Sequence, residues 1–394
     1  MSDEMEKADI VVGILCKNVE ATILHVMNVV NEGLHKYFSE HKKAMVLSDG
    51  FSSDRTVGLA ELFQPYDGVK KIITRDMEKG GKGGGVKTIL NIAREMDAKV
   101  VILLDGDLLS VKAEWIYELA APILYGRADL IVPYYIRDKY DGVITNNLVY
   151  PFTRALYGMD IRQPIAGEYG MSRAVYEMLL SHPLFPLDFG VDIFIVTSAA
   201  ANKRRIMEGI FSLKIHESTT HYLEPEELLL PMFKQVTGTM FNLAEYYEEF
   251  WKNNGSRAHR NMINEFHGKK PVSVRIDVEK MRNSFRGEFI QWQKVINKIL
   301  PPEINKKIND IHKGNNITSL DAETWAKIVY HFAAAYKKEK NKDVILNALK
   351  SLWLGRFVSY AMETDEMDLI DAERLIQEQA EIFEKTKDYL LSIY

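Results

Sequence analysis

Three short stretches carry residue types that could do chemistry together. The first is Asp105-Gly106-Asp107, which follows five consecutive apolar residues, Val100 to Leu104. Such a run predicts a buried strand, and two carboxylates at its end are costly unless solvated, paired or bound to a cation. A hard divalent ion such as Mg²⁺ or Mn²⁺ takes one or two carboxylates and completes its shell with phosphate oxygens and water. Asp-x-Asp alone is common in ordinary turns, so its context has to decide.

That context is GGKGGG, Gly80 to Gly85. It fails a Walker loop, because position 76 is Asp and Lys82 is followed by Gly83, and it fails the dinucleotide fingerprint at Val86. It is expected instead to be a mobile loop before a helix, laying backbone N–H groups and the Lys82 ammonium against a diphosphate. The third stretch, SDGFSSDRT from Ser48 to Thr56, places Asp49 at a strand end with Ser52, Asp54 and Thr56 before a helix. It offers acceptors for a ribose or base and an N-cap. A capping turn explains Asp54 but leaves Asp49 without a reason. Together the three describe a nucleotide-sugar pocket.

The elements that must position these residues follow from periodicity. Strand-like runs IVVGIL, AMVLSD, KKIIT, KVVILLD and DLIVPYYI alternate with helical patterns over Ala21 to Phe38, Arg55 to Phe63, Val86 to Met96 and Glu114 to Tyr125. This predicts an α/β domain with a mostly parallel sheet and helices on both faces. Functional residues then collect at the carboxyl edge, where CKN (Cys16 to Asn18), SDGFSSD and DGD all fall. From Tyr135 to Tyr222 the pattern is less regular, with Asp141, Thr145, Gln163, Pro164, Gly167, Glu168, Asp188 and Asp192 in or beside expected loops. The polar segment Asn253 to Pro271 reads as a linker or a long surface loop. Beyond it, Asp321 is expected to cap a helix with Trp325, Ile328, Val329, Phe332 and Tyr336 on one face, and Leu346, Leu349, Leu352, Trp353 and Phe357 repeat the pattern. The expected division is a catalytic domain over 1–250 and a helical region over 251–394, the latter serving packing and homo-oligomer assembly.

Composition narrows the class. The formal charge is −5, from 50 basic and 55 acidic residues, so there is no overall field for nucleic acid or an anionic membrane. One cysteine, Cys16, excludes a disulfide framework and fits a reducing cytoplasm. No apolar run approaches a membrane span, and the acidic amino terminus lacks a signal-peptide layout, so a cytoplasmic protein is expected.

The order KN, SDG-x-S-x-D-x-T, GKG and DGD resembles family 2-like glycosyltransferases of the GT-A fold, and within them the retaining enzymes that make mannosylglycerate and glucosylglycerate. The likeness extends through RDKYDGVIT (Arg137 to Thr145), IRQPIAGEYGMSR (Ile161 to Arg173), FGVDIF (Phe189 to Phe194), KIH (Lys214 to His216) and the tail segments LDAETWAKIVYHF and LKSLWLGRFVSYAM. It implies a hexose transfer from a GDP- or UDP-sugar to a small hydroxy acid, with Mg²⁺ or Mn²⁺ as cofactor. By the same resemblance Asp107 and His216 hold the metal, with His221 the competing histidine. Lys17, Asn18, Asp49, Lys82, Gly83, Asp105 and Gly106 bind the donor. Arg137, Asp141 and Thr145 hold the acceptor, Arg137 by its carboxylate. Asp107 and Lys82 stabilise the leaving diphosphate, and Asp192 and Glu168 are the carboxylates to test for a direct role.

Relatives that use 3-phosphoglycerate carry arginine in a Gly-Arg-Val-Thr loop, where this chain reads Gly142-Val143-Ile144-Thr145, which favours unphosphorylated glycerate. The family often has Asp after Gly-Lys-Gly, where this chain has Gly84, so donor choice stays open. Transfer to a polyprenyl phosphate or glycan, and a sugar-nucleotide sensor without turnover, are the rival readings.

Overall fold

A computed structural model describes residues 5–216, 225–254, 271, 273–313 and 319–394. The described chain forms two compact units that are not consecutive in sequence: 5–136 with 163–216, and 137–162 with 226–254 and the described residues from 271 on. The segment Arg137–Arg162 belongs to the same unit as the carboxyl-terminal helices.

In the first unit the elements run β1 (Ile10–Cys16), α1 (Ile23–Tyr37), β2 (Lys43–Asp49), α2 (Thr56–Leu62), β3 (Val69–Arg75), α3 (Lys82–Glu95), β4 (Val100–Asp105), α4 (Ala113–Leu124) and β5 (Leu130–Ile136). A π-helical turn (Thr145–Val149) and α5 (Tyr150–Tyr157) follow in the second unit. The chain then returns with β6 (Tyr169–Ser172), α6 (Arg173–Leu180), α7 (Val191–Ala201) and β7 (Ile206–Leu213). The sheet order is β3-β2-β1-β4-β6-β5-β7. β1, β2 and β4 are continuous apolar runs because both of their faces are covered, by α1, α2 and α4 in one layer and α3, α6 and α7 in the other. Edge strand β3 is only half-buried.

Register decides which residues meet. Cys16 pairs with Asp49 and Leu15 with Asp105, so the β1, β2 and β4 ends lie side by side, with adjacent strands about 4.8 Å apart. β6 runs antiparallel to β4 and β5, with Leu103 opposite Tyr169, so it begins at the edge where its neighbours finish. This brings Gly167 and Glu168 to the same edge as Asp105.

The second unit continues with α8 (Pro225–Tyr246), α9 (Glu248–Asn253), α10 (Val278–Ile299), α11 (Pro302–Lys313), α12 (Ala322–Lys338), α13 (Lys342–Glu363), α14 (Leu369–Lys385) and α15 (Lys387–Ile393). Asp321 caps α12 as expected, accepting the Thr324 amide at 2.8 Å, and the Trp325 to Tyr336 stripe is buried. α13 differs from an amphipathic helix: Leu349, Trp353 and Phe357 are buried, but so are Ser351, Leu354, Gly355 and Val358 on its other faces. It runs through the middle of its unit, and Gly355 lets it approach the Phe285 ring of α10, where a Cβ would stand 2.9 Å away. Among the described residues no helix is long and apolar enough to cross a membrane.

Gly170 is the tightest constraint on the sheet. A Cβ there would sit 2.1 Å from the Leu119 carbonyl oxygen of α4, a backbone atom that cannot rotate away. Gly170→Ala is expected to cost about 3 kcal/mol, read as a lower urea midpoint; an unchanged midpoint would show that α4 shifts freely over β6.

Candidate functional site

The carboxyl edge of the sheet assembles a buried charge cluster. Lys82, the first residue of α3, puts its ammonium 2.9 Å from Asp105 Oδ1 and 3.4 Å from Asp192 Oδ2, and donates to the Gly167 carbonyl at 3.2 Å. Three acceptors match the three N–H bonds of an ammonium. Beside it Lys214, just past β7, donates to both Glu168 oxygens at 2.9 Å and to the Ala166 carbonyl at 2.7 Å, and the Tyr135 hydroxyl donates to Glu168 at 2.6 Å. The two groups meet at Gly167, where φ is +100° and a Cβ would stand 2.8 Å from Lys214 Nζ and 3.0 Å from Asp105 Oδ2. No other residue type fits there.

Burial sets the electrostatics. Glu168 is fully buried, and burial raises its pKa above the ordinary carboxylate value while Lys214 pulls it back. Burial likewise raises Asp192, opposed by Lys82, and Asp192 Oδ1 has no hydrogen-bond partner among the described residues. Burial alone would lower Lys82, but Asp105, Asp192 and Glu168 outweigh it and hold the ammonium charged.

Asp107 and His216 come together next to this cluster. His216 Nδ1 lies 3.5 Å from Asp107 Oδ2, and both side chains are partly exposed. The approach is enforced by backbone: Leu108 bridges to His216, and the amides of Leu109 and Ser110 donate to the Ile215 carbonyl at 2.8 and 3.2 Å. Among the described residues there is no cluster of three or more His, Cys, Asp and Glu that could cage an ion. One carboxylate and one imidazole instead suit an ion whose remaining ligands are diphosphate oxygens and water. His221 lies outside the described residues.

The donor residues expected from sequence fall at this edge, with different local roles in several cases. The glycines are not a mobile loop: Gly83, Gly84 and Gly85 lie in the first turn of α3, earlier than the helix start expected at Val86. The Gly83 amide donates to Asp188 O at 3.2 Å and that of Gly84 to Leu187 O at 3.1 Å, so these N–H groups face the chain and not a diphosphate. A Cβ at Gly83 would meet Pro186 O at 2.1 Å, and one at Gly84 would meet Glu78 O at 2.4 Å, which explains why aspartate does not follow Gly-Lys-Gly here. Gly106 likewise spends its amide on Leu15 O and its carbonyl on the Thr22 hydroxyl, both at 2.8 Å. Its contribution is to let β4 turn against β1. Asp192 sits in the first turn of α7 and not in a loop.

SDGFSSDRT acts as a staple. Ser52 Oγ accepts the Asn18 amide, Thr56 Oγ1 the Val19 amide and Asp54 Oδ2 the Glu20 amide, at 2.8, 2.8 and 3.0 Å. Asn18, at φ +53°, returns the contact by accepting from the Ser53 amide at 2.8 Å. Asp49 has a local reason after all: its carboxylate accepts the Ser52 amide at 3.2 Å. Lys17 projects exposed beside the staple. Sequence reasoning passed over Lys214 and Gly167 as site residues; the available signal was a lysine two positions before His216 and a glycine beside an acidic residue.

In the second unit Arg137, Asp141 and Thr145 converge. Arg137 Nε is 3.9 Å from Asp141 Oδ2, and a Cβ on Gly142, at φ +72°, would stand 3.3 Å from Arg137 Nη1 and 3.8 Å from Thr145 Oγ1. Thr145 opens the π-helical turn. Val143 and Ile144 are buried, at 2% and 3% exposure.

The sheet and its helices have the GT-A architecture. Residues 11–180 match the family described as Glycosyl transferase family 2, and the protein is a glycosyltransferase. Among curated proteins no sequence match is found. Similar solved structures include glucosyl-3-phosphoglycerate synthase from Mycobacterium tuberculosis, 22% identical over 60% of this chain and 80% of that one, with TM-score 0.48. Mannosyl-3-phosphoglycerate synthase from Rubrobacter xylanophilus is 15% identical over 63% and 77%, with TM-score 0.47. A mannosyltransferase from Pyrobaculum calidifontis, in complex with GDP-Man and Mn²⁺, is 13% identical over 99% and 87%, with TM-score 0.41.

Asp192 generates a stability test. Its folded pKa lies above the unfolded one, so the ionised carboxylate opposes folding, and the penalty appears as pH rises through the folded value. Asp192→Asn removes that titration. The melting temperature of the variant minus that of the wild type is expected to grow by a few degrees as pH rises from about 4, the unfolded carboxylate's value, toward neutrality. A difference that shrinks with rising pH would show that the carboxylate is stabilised by Lys82 more than burial costs it.

Proposed function

We propose that the protein is a metal-dependent, retaining hexosyltransferase that moves mannose or glucose from a nucleoside diphosphate to the 2-hydroxyl of D-glycerate. The observation that carries the donor half is the juxtaposition of Asp107 and His216 from distant parts of the chain. These two residues would hold Mg²⁺ or Mn²⁺, which when bound supplies positive charge against the leaving diphosphate. Lys82 holds Asp105 and Asp192 in one arrangement, so that Asp105 presents an oxygen to a sugar or ribose hydroxyl without searching rotamers. Glu168, locked by Lys214 and Tyr135, supports that edge and does not move.

For the acceptor, the Arg137 guanidinium matches a carboxylate as a two-pronged donor, and Asp141 and Thr145 address its hydroxyls. The buried Val143 and Ile144 supply no cation for a phosphate, which supports glycerate over 3-phosphoglycerate. In the step itself the bond from the anomeric carbon to the phosphate oxygen breaks, the glycerate oxygen bonds to that carbon on the same face, and its proton passes to the departing phosphate oxygen. No side-chain nucleophile is needed.

The test is nucleoside diphosphate release from GDP-mannose, GDP-glucose and UDP-glucose with Mn²⁺, using D-glycerate, D-lactate, 3-phosphoglycerate or water. Glycerate-dependent release is expected. Asp107→Ala should lower turnover by on the order of a hundredfold or more, and Arg137→Ala should raise the acceptor KM while sparing nucleotide binding. Preference for 3-phosphoglycerate would refute the argument from Val143. Silence with every acceptor, despite tight donor binding, would favour a sensor or a glycan acceptor.

A further inference from the structure

The carboxyl-terminal helices grip the backbone within and just after the segment that carries Arg137, Asp141 and Thr145, all within the second unit. The Tyr360 hydroxyl on α13 donates to the Lys139 carbonyl at 2.9 Å. Gln379 Nε2 on α14 donates to the Asn146 carbonyl at 2.9 Å, and Trp325 Nε1 on α12 to the Asn147 carbonyl at 2.5 Å. One clamped carbonyl thus precedes Asp141 and two follow Thr145. The clamps are themselves held: Gln379 Oε1 accepts from Arg356 Nε at 2.9 Å, and Arg356, buried inside α13, also binds Glu363 at 2.9 Å and the Leu320 carbonyl at 2.8 Å. Lys139 answers in the other direction, donating to the carbonyls of Thr364, Asp365 and Met367 where α13 ends. Tyr140 lies edge-on to Tyr360, with ring centres 6.4 Å apart.

Buried carbonyls need donors, and here the donors are side chains of three distant helices, so each bond that satisfies a carbonyl also fixes its position. A small hydroxy acid makes few contacts, so a guanidinium displaced by a fraction of an ångström loses most of its selectivity. We infer that Tyr360 and Gln379 are positioning residues for the acceptor, acting through the carbonyls of Lys139 and Asn146 to fix the Arg137, Asp141 and Thr145 cluster. The carboxyl-terminal helices are then an acceptor module and not only a packing element. This inference rests on the reading of that cluster as the acceptor site.

The experiment compares steady-state kinetics of the full-length wild type, Tyr360→Phe, Gln379→Leu and Arg137→Ala with GDP-mannose or UDP-glucose as donor and D-glycerate or 3-phosphoglycerate as acceptor. Tyr360→Phe and Gln379→Leu are each expected to raise the acceptor KM about tenfold, as loss of one buried hydrogen bond would, while the donor KM stays at the wild-type value. Tyr360→Phe removes only a hydroxyl, so it stands as the test even if Gln379→Leu folds poorly. If Arg137→Ala raises the acceptor KM and both clamp variants leave it unchanged, the positioning role is overturned and the acceptor site stands. Equal rises in donor and acceptor KM would also overturn it, as general loosening. If Arg137→Ala leaves the acceptor KM unmoved, the acceptor assignment falls and takes this inference with it.

Discussion

A lysine ammonium buried between two carboxylates organises the sheet edge. Asp105 and Asp192, with Glu168, outweigh burial and hold Lys82 charged, and Lys82 in turn offsets the burial of Asp192. Removing either side leaves an uncompensated buried charge, so the arrangement ties α3, β4 and α7 together as one electrostatic unit. The Glu168–Lys214 pair repeats the solution between β6 and β7. Gly167 lies where the two pairs touch, which is why a residue without a side chain is needed there.

This arrangement separates two duties that one charged residue could not perform together. The buried pairs neutralise one another within the protein and supply rigidity, with Asp192 Oδ1 alone lacking a hydrogen-bond partner among their described atoms. Asp107 and His216, partly exposed and joined by the Leu108 bridge, lie outside those buried pairs. The staple of Ser52, Asp54 and Thr56 onto residues 18–20 fixes the neighbouring loop in the same way, by satisfying backbone amides with side-chain oxygens.

Much of this was legible in the sequence, for identifiable reasons. Five apolar residues before Asp105 announced a strand buried on both faces, and alternation with helical patterns announced the parallel sheet and its loaded edge. What could not be read was which groups would be spent on the protein itself. Glycines at 83 and 84 look alike as phosphate cradles or as packing sites, and only the passage of Pro186 to Asp188 against them shows the second. The role of Asp49 depended on the turn at Ser52, and the importance of Lys214 on the antiparallel insertion of β6, which no local pattern encodes. The grouping of Arg137–Arg162 with the distant tail was likewise hidden, because it rests on packing of α5 against α14, the Arg162–Glu373 ion pair and hydrogen bonds such as Tyr360 to Lys139, all far apart in sequence.

The proposed function has the donor diphosphate held through a divalent cation at Asp107 and His216. Calorimetric titration of GDP-mannose and UDP-glucose into the wild type and His216→Ala, each with Mn²⁺ and with a chelator, tests it most directly. One of the donors is expected to bind the wild type tightly only with Mn²⁺, and His216→Ala to lose most of that cation-dependent gain. Equal affinity with Mn²⁺ and with chelator, or a gain that survives intact in His216→Ala, would contradict it.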